Sequence, residues 1–236
     1  KTAYEIRNCD WSSDGVLFRS FTEEARIVYQ LTHPAVVRLL DHGVSWMHSG
    51  EEAPWMVLEW LDGETLDAAW RAKESPWTMP EAVALLRPVF EALAEAHGRG
   101  VCHRDVTPSN VFLCEAPEGT RARLIDFGVA RVMEPDTDAP SGLTETRSDV
   151  TAFSPRYGAP EQFGHTRTGP WTDVHALALL LTEMVAGCAA YTGRDGAELL
   201  ASAMAPTRPT PAQKGTDVGA CEPVLARALA LRPADR

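Results

Sequence analysis

The stretch that decides the fold is HRDVTPSNVFL, residues 103–113. It places a carboxylate at Asp105 and an amide at Asn110, and it ends in three apolar residues that suit a short strand. Taken alone, the pattern also fits a turn in which Asp105 and Asn110 bond to nearby backbone groups. Its meaning therefore depends on the motifs that follow it.

Two further motifs follow in order. The first is DFG at residues 126–128, directly after the apolar pair Leu124-Ile125, and the second is APE at residues 159–161, preceded by SPRY at residues 154–157. A lone Asp-x-Gly after a strand is ordinary turn chemistry. The three motifs together, in this order and with the strand and loop patterns between them, form one constellation.

This constellation resembles the catalytic loop, the metal-binding segment and the end of the activation loop of eukaryotic-like serine/threonine protein kinases of the bacterial type. The resemblance implies an α+β, two-lobed protein kinase fold that uses ATP and Mg²⁺. By resemblance, Asp105 orients the attacking hydroxyl and accepts its proton, while Asn110 and Asp126 bind the metal on the ATP phosphates.

Two positions outside the motifs fit the same family. Asp173 lies just inside a predicted helix over residues 172–186, for which Thr172 is a possible N-cap, and it resembles the aspartate that anchors the catalytic loop. Arg236 resembles the arginine that pairs with Glu161. Both resemblances predict contacts between segments that are distant in the sequence.

Arg104 and Thr107 bear on regulation and rate. Arg104 indicates control by phosphorylation of the polar loop over residues 135–155, since a phosphate there would offer it a bidentate partner. Thr107 departs from the family, which usually has a lysine near the γ-phosphate at this position, so transition-state charge must be met by other groups. The candidate phosphorylation sites are Thr144, Thr146, Ser148 and Thr151.

The first portion of the chain contains the candidate ATP-phosphate site. Residues 21–31 predict an amphipathic helix, in which Glu24 shares a face with apolar residues and so requires a cationic partner. The helix resembles the one that carries the ion-pair glutamate of kinases, whose partner is the phosphate-binding lysine. Lys1 is the preferred candidate for that lysine, and an alternative alignment puts Glu5 in its place.

The candidate adenine site is the segment LEWL, residues 58–61. It resembles the kinase hinge, which receives adenine through backbone groups, and the resemblance implies that Glu59 and Leu61 bind the nucleotide. Strands are predicted over residues 36–40 and 54–60 from their β-branched and aromatic composition.

The resemblance divides the chain near Asp62-Gly63, where a β-rich portion meets a mainly helical one. Residues 1–60 are predicted to be a partial N-lobe, with the family's third to fifth strands and its helix. Residues 61–236 are predicted to be the C-lobe without its last helices. The chain begins at Lys1 without a methionine and without the family's glycine-rich loop. We therefore expect a piece of a longer protein, active in the parent protein and inactive by itself.

The predicted function is that of a protein serine/threonine kinase, which transfers the γ-phosphoryl group of ATP to protein hydroxyls and can autophosphorylate in trans. Two alternatives stay open at this point. A pseudokinase, acting as a binding or scaffolding module, is favoured if Glu5 occupies the lysine position. A small-molecule phosphotransferase of related fold is less consistent with Arg104 and with the APE segment, because a phospho-regulated loop and a peptide platform serve protein acceptors.

The amino-acid composition restricts the kinds of partner that the chain is expected to bind. The chain has 44% hydrophobic and 23% charged residues, which is typical of a folded globular protein. Its formal net charge of −11 argues against nucleic acid, which requires a basic surface. Five scattered cysteines without a C-x-x-C pair predict reduced thiols in the cytoplasm. The most apolar segment, residues 174–187, is too short to cross a bilayer, so no membrane contact is predicted within this chain, and an anchor elsewhere in the parent protein stays compatible.

Overall fold

The computed structural model describes residues 31–46, 52–117, 119–126, 131–132 and 153–236. Residues 21–30 of the predicted helix, with Glu24, lie outside the described residues, as do Lys1, Glu5 and the four candidate phosphorylation sites. Phe127 and Gly128 of the DFG motif also lie outside them.

The chain divides into two compact units, each built from several segments. The first contains the described parts of residues 1–74, 83–101 and 108–130, and the second contains those of residues 75–82, 102–107 and 131–236. In chain order the strands are β1 (Leu39–Trp46), β2 (Glu52–Leu58), β3 (Gly63–Thr65), β4 (Val101–Cys102), β5 (Val111–Cys114), β6 (Arg121–Leu124) and β7 (Arg131–Val132). The α-helices are α1 (Leu66–Ala72), α2 (Met79–Gly98), α3 (Pro160–Phe163), α4 (Pro170–Ala186), α5 (Gly196–Ala203) and α6 (Glu222–Ala228).

Small antiparallel sheets organise the first unit. Strands β1 and β2 pair with each other, with a register shift between Leu39 and Asp41. Strands β3, β5 and β6 form a three-stranded sheet in that order. The strand predicted over residues 36–40 begins only at Leu39 in the structure, as β1. Val36 lies before β1 and forms an isolated parallel bridge with Leu124 of β6. Gly63 begins β3 with φ 145, and a Cβ there would overlap the carbonyl group of Leu113 on the neighbouring strand.

Local side-chain bonds explain where two of the helices begin. The Thr65 hydroxyl accepts the N–H of Ala68 at 3.2 Å and caps α1. Thr78 and Glu81 form a reciprocal capping box at α2, with the Thr78 N–H donating to the Glu81 carboxylate at 2.8 Å. Pro80 lies in the first turn of α2, and the helix continues through Pro88 without a break.

Helix α4 begins two residues before its predicted start. Its N-cap is Gly169, followed by Pro170 at the first helical position, where a missing N–H costs nothing. Thr172 is therefore not the N-cap. Its hydroxyl lies inside the first turn and accepts the N–H of Gly169 at 3.2 Å.

Each unit has its own apolar core. Fully buried side chains stabilise a fold by about 1.5–3 kcal/mol each. In the first unit the largest of them are Leu66, Leu86, Val89, Leu93 and Leu124. In the second they are Leu179, Leu180, Met184, Tyr191 and Leu229. Among the described residues, no helix combines the length and the apolar character that a membrane span requires.

Candidate active site

Asp173 anchors the catalytic loop within the second unit. Its Oδ2 accepts the N–H of His103 at 2.9 Å, and its Oδ1 accepts the N–H of Arg104 at 2.7 Å. Asp173 is completely buried in the first turn of α4, where the helix dipole favours a negative charge. The predicted anchoring role of Asp173 is confirmed by these two bonds.

Asp105 is held by contacts on its backbone and its carboxylate. Its N–H donates to Nδ1 of the buried His103 at 3.3 Å. Its Oδ1 accepts the N–H of Ser154 at 2.9 Å. The carboxylate is thus tied to the segment that leads into the APE motif.

Arg104, next to Asp105, has an unusual backbone conformation. Its φ is 67, in the left-handed region that costs a residue with a Cβ about 1–3 kcal/mol. The Gln162 side chain donates to its carbonyl oxygen at 2.8 Å. Strain of this kind persists only where the surrounding structure holds it, and here the bonds come from Asp173 and Gln162.

Asn110 and Asp126 lie at the same end of the β5–β6 pair in the first unit. Asn110 precedes β5, Asp126 follows β6, and the antiparallel register aligns Val111 with Leu124. The Ile125 N–H donates to the Asn110 carbonyl oxygen at 2.9 Å. Asp126 has φ 62, a second left-handed position at the predicted site. Amide and carboxylate oxygens suit Mg²⁺, so these two residues fit the predicted metal.

Two buried, uncharged residues lie at the catalytic loop, Cys102 directly before it and Thr107 within it. Thr107 is 4% exposed, so the position that usually holds a lysine contains a neutral hydroxyl. Burial, reinforced by the nearby Asp173 carboxylate, raises the pKa of Cys102 to about 12 and keeps it a thiol. The described cysteines, Cys102, Cys114, Cys188 and Cys221, are all free.

The segment predicted to bind adenine is held by the Glu59 side chain. Glu59 and Arg38 exchange bonds, with the Glu59 N–H donating to the Arg38 carbonyl at 2.9 Å and the Glu59 carboxylate accepting the Arg38 N–H at 2.7 Å. The same carboxylate forms an ion pair with Arg123, which also donates to the carbonyl of Val36 at 2.7 Å. Burial alone would raise the pKa of Glu59, but these hydrogen bonds outweigh it and lower the pKa.

The APE segment is fixed by two buried acids. Glu161 forms the predicted ion pair with Arg236, at 2.7 Å, which confirms that contact. Glu183 on α4 accepts the Tyr157 hydroxyl at 2.5 Å and the Ala190 N–H at 2.7 Å. Burial raises the pKa of Glu183, although the bonds from Tyr157 and Ala190 partly offset the effect.

The sequence did not predict Gln162 or Glu183. Gln162 is three residues after Ala159, the spacing at which a glutamine side chain can reach back to the N–H that precedes a helix. That bond is present at 2.9 Å. No local sequence pattern marks the partners of Glu183. The only signal was Glu183 itself, a charged residue within a mainly apolar helix, which indicates a buried contact of some kind.

Comparison with known proteins agrees with this geometry. Residues 5–219 match the family model for the protein kinase domain. The serine/threonine-protein kinase pkn2 of Myxococcus xanthus is 33% identical over 195 residues, which cover 82% of this chain and 22% of that protein. PknD of Mycobacterium tuberculosis is 32% identical over 227 residues, covering 95% of this chain and 32% of the relative. PknF of the same species is 30% identical over 237 residues, which cover 99% of this chain and 47% of that protein.

The solved kinase domain of Mycobacterium tuberculosis PknI, a double mutant, is similar in structure. The TM-score is 0.67 at 26% identity, and the match covers 94% of this chain and 74% of that one.

The chain belongs to the protein kinase family. The predicted α+β protein kinase fold is confirmed, and the relatives are named serine/threonine-protein kinases, the class that the motifs predicted. Use of ATP and a divalent metal is general in this family. The chain spans between about a fifth and a half of the length of these curated relatives.

Proposed function

We propose that the full-length protein containing this chain is a serine/threonine kinase that transfers the γ-phosphoryl group of Mg-ATP to hydroxyl groups of proteins. The observation that carries the proposal is the fixed position of Asp105. Its N–H bonds to His103, its carboxylate bonds to Ser154, and the preceding residue is anchored by Asp173. A carboxylate positioned in this way before substrate arrives is what catalysis by orientation requires.

In the proposed reaction the acceptor hydroxyl oxygen attacks the γ-phosphorus of ATP. A bond forms between these two atoms, the bond from the γ-phosphorus to the bridging oxygen breaks, and ADP leaves. The Asp105 carboxylate orients the hydroxyl and accepts its proton as the new bond forms. Ser154, Asp173 and His103 act on this step by holding Asp105.

The proposed metal ligands are the Asn110 amide oxygen and the Asp126 carboxylate. Their placement at one end of the β5–β6 pair supports a shared ion, and their hard oxygen donors favour Mg²⁺. The bound ion would neutralise charge on the phosphates. Thr107 supplies no positive charge of its own, so this site depends more strongly on other cations than one with a lysine there.

Adenine is proposed to bind at the backbone of Glu59 and Leu61. The Glu59 N–H and carboxylate are occupied by Arg38 and Arg123, which supports a role for the Glu59 carbonyl instead. Lys1 and Glu24 are proposed to bind the phosphates as an ion pair. Replacing Lys1 by methionine should abolish ATP use, and unchanged use would favour the alignment with Glu5.

The proposed partners follow from the chemistry. Acceptor hydroxyls on other proteins and on a second copy of the kinase are the substrates, and Arg104 would bind the phosphate that autophosphorylation in trans adds. Mass spectrometry of active protein that finds no phosphate between residues 129 and 158 would remove this role of Arg104. A cytoplasmic location is proposed because ATP is the phosphoryl donor and the free cysteines suit a reducing compartment.

Transfer of radiolabelled phosphate from ATP to a general protein acceptor tests the function. In the full-length protein, Asp105→Asn and Asp126→Asn should each abolish transfer, because one removes the proton acceptor and the other a metal ligand. Asp67→Asn is a matched control, since Asp67 forms an exposed ion pair with Arg71 on α1. Transfer that persists in both variants would contradict the assigned roles, and its absence from the unmodified protein would contradict the function.

A further inference from the structure

A buried glutamine joins the end of the activation segment to the catalytic loop. Gln162 lies in α3 and is 4% exposed. Its Nε2 donates to the Arg104 carbonyl oxygen at 2.8 Å, and its Oε1 accepts the Ala159 N–H at 2.9 Å. A carbonyl oxygen can only accept and a backbone N–H can only donate, so the two partners fix the orientation of the side-chain amide.

The bond to Arg104 acts on the peptide group that leads directly into Asp105. Arg104 is in the left-handed conformation, and Asp173 holds the N–H on its other side. The two peptide groups of Arg104 are therefore held from opposite ends, by a carboxylate on α4 and by an amide on α3. A left-handed residue with a Cβ relaxes unless its surroundings fix it. Loss of the Gln162 bond would remove one of the constraints on the peptide before Asp105, whose N–H also bonds to His103.

We infer that Gln162 is a positioning residue for phosphoryl transfer. It acts through the peptide between Arg104 and Asp105 and keeps the Asp105 carboxylate aligned with the acceptor hydroxyl; this inference rests on the function proposed above. Because Gln162 also accepts the Ala159 N–H, the same side chain ties the alignment of Asp105 to the fold of the APE segment. The conformation of the catalytic loop then depends on the APE segment as well as on α4.

Two substitutions separate the two bonds of the side chain. Gln162→Glu keeps an oxygen for the Ala159 N–H but replaces the donor to Arg104 by a second acceptor, which repels the carbonyl oxygen. Gln162→Met keeps the length of the side chain and removes both bonds. The matched control is Gln213→Glu, which makes the same change of charge at an exposed position of the same unit.

The experiment measures kcat and KM for phosphate transfer to a general protein acceptor by the full-length protein. It also measures the stoichiometry of Mg-ADP binding by calorimetry, which counts folded molecules. We expect kcat to fall about ten- to a hundred-fold in Gln162→Glu, the size expected for a misplaced catalytic group, with KM for ATP and the stoichiometry unchanged. Gln162→Met should lose at least about ten-fold in kcat, and Gln213→Glu should match the unmodified protein.

The inference is overturned if Gln162→Glu transfers phosphate at the unmodified rate, or if its loss of rate is matched by an equal loss of binding stoichiometry. If Gln162→Glu does not fold, Gln162→Met decides, and an unmodified kcat in that variant overturns the inference. An unmodified protein that transfers no phosphate would overturn the proposed function first, and with it this role of Gln162.

Discussion

Glu161 and Arg236 form an ion pair that is almost completely withdrawn from solvent. Their side chains are 2% and 1% exposed, and Oε1 lies 2.7 Å from Nη1. The Thr172 hydroxyl donates to the same carboxylate oxygen at 2.8 Å, and the guanidinium also donates to the carbonyl oxygen of Ala230 at 2.8 Å. The pair therefore links the start of α3, the first turn of α4 and the segment after α6.

Breaking this pair from one side should destabilise the protein strongly. Arg236→Met leaves the Glu161 carboxylate buried without its cation, and we expect the free energy of unfolding to fall by about 3–5 kcal/mol. Urea denaturation measures the change. The double variant with Glu161→Gln should recover part of the loss, because no uncompensated charge remains.

An exposed arginine provides the control for this prediction. Arg232 pairs with Asp235, but their side chains are 77% and 45% exposed, so Arg232→Met should change the stability little. A cost for Arg236→Met no larger than that for Arg232→Met would contradict the importance of burial.

The bonds from Asp173 to the catalytic loop predict a different effect. Asp173→Asn keeps one oxygen and places an NH₂ group against the N–H of either His103 or Arg104. We expect a loss of about 1–3 kcal/mol in the free energy of unfolding, since one buried N–H loses its acceptor. Radiolabelled transfer should show a lower kcat, because the backbone of His103 and Arg104, which leads into Asp105, loses part of its anchor. Unchanged stability and kcat would show that the loop does not depend on this anchor.

Sequence reasoning succeeded where motif order or strand pairing determines the contact. The contacts of Asp173 and Arg236 follow from single positions relative to motifs, and Asn110 and Asp126 lie at the same end of the β5–β6 pair because each flanks one strand of this antiparallel pair. It failed at Thr172, since a proline at the first helical position set the start of α4. It missed the bond from Gln162 to Arg104, because the two residues are 58 positions apart and no periodic pattern marks a single buried amide.

The Glu59 carboxylate predicts that Glu59→Gln and the unmodified protein differ in stability near neutral pH, and that this difference disappears in acid. Its pKa lies below the ordinary value of 4.5, so the charged form stabilises the folded state, and this contribution is lost as the pH falls through the folded-state pKa. Glu59→Gln should therefore be less stable than the unmodified protein near pH 7, with the difference narrowing below about pH 4.5. Urea denaturation across this range measures it, with the exposed Glu91→Gln as control. A difference that does not vary with pH would exclude the pairing with Arg123 as its source.

Glu183 predicts the opposite dependence on pH. Burial raises its pKa above the ordinary 4.5, so its contribution to stability is fully present below that pH and is lost as the pH rises through the folded-state pKa. Glu183→Gln does not titrate, and its amide can still accept the Ala190 N–H and donate to the Tyr157 oxygen. The variant should therefore gain stability relative to the unmodified protein as the pH rises from about 4 to 8. Tyr157→Phe removes a bond that lowers the pKa of Glu183, so it should move this window to higher pH. The raised pKa would be contradicted if the stability difference between Glu183→Gln and the unmodified protein stayed constant over this pH range. The role of the Tyr157 hydroxyl would be contradicted if the pH window did not move in Tyr157→Phe.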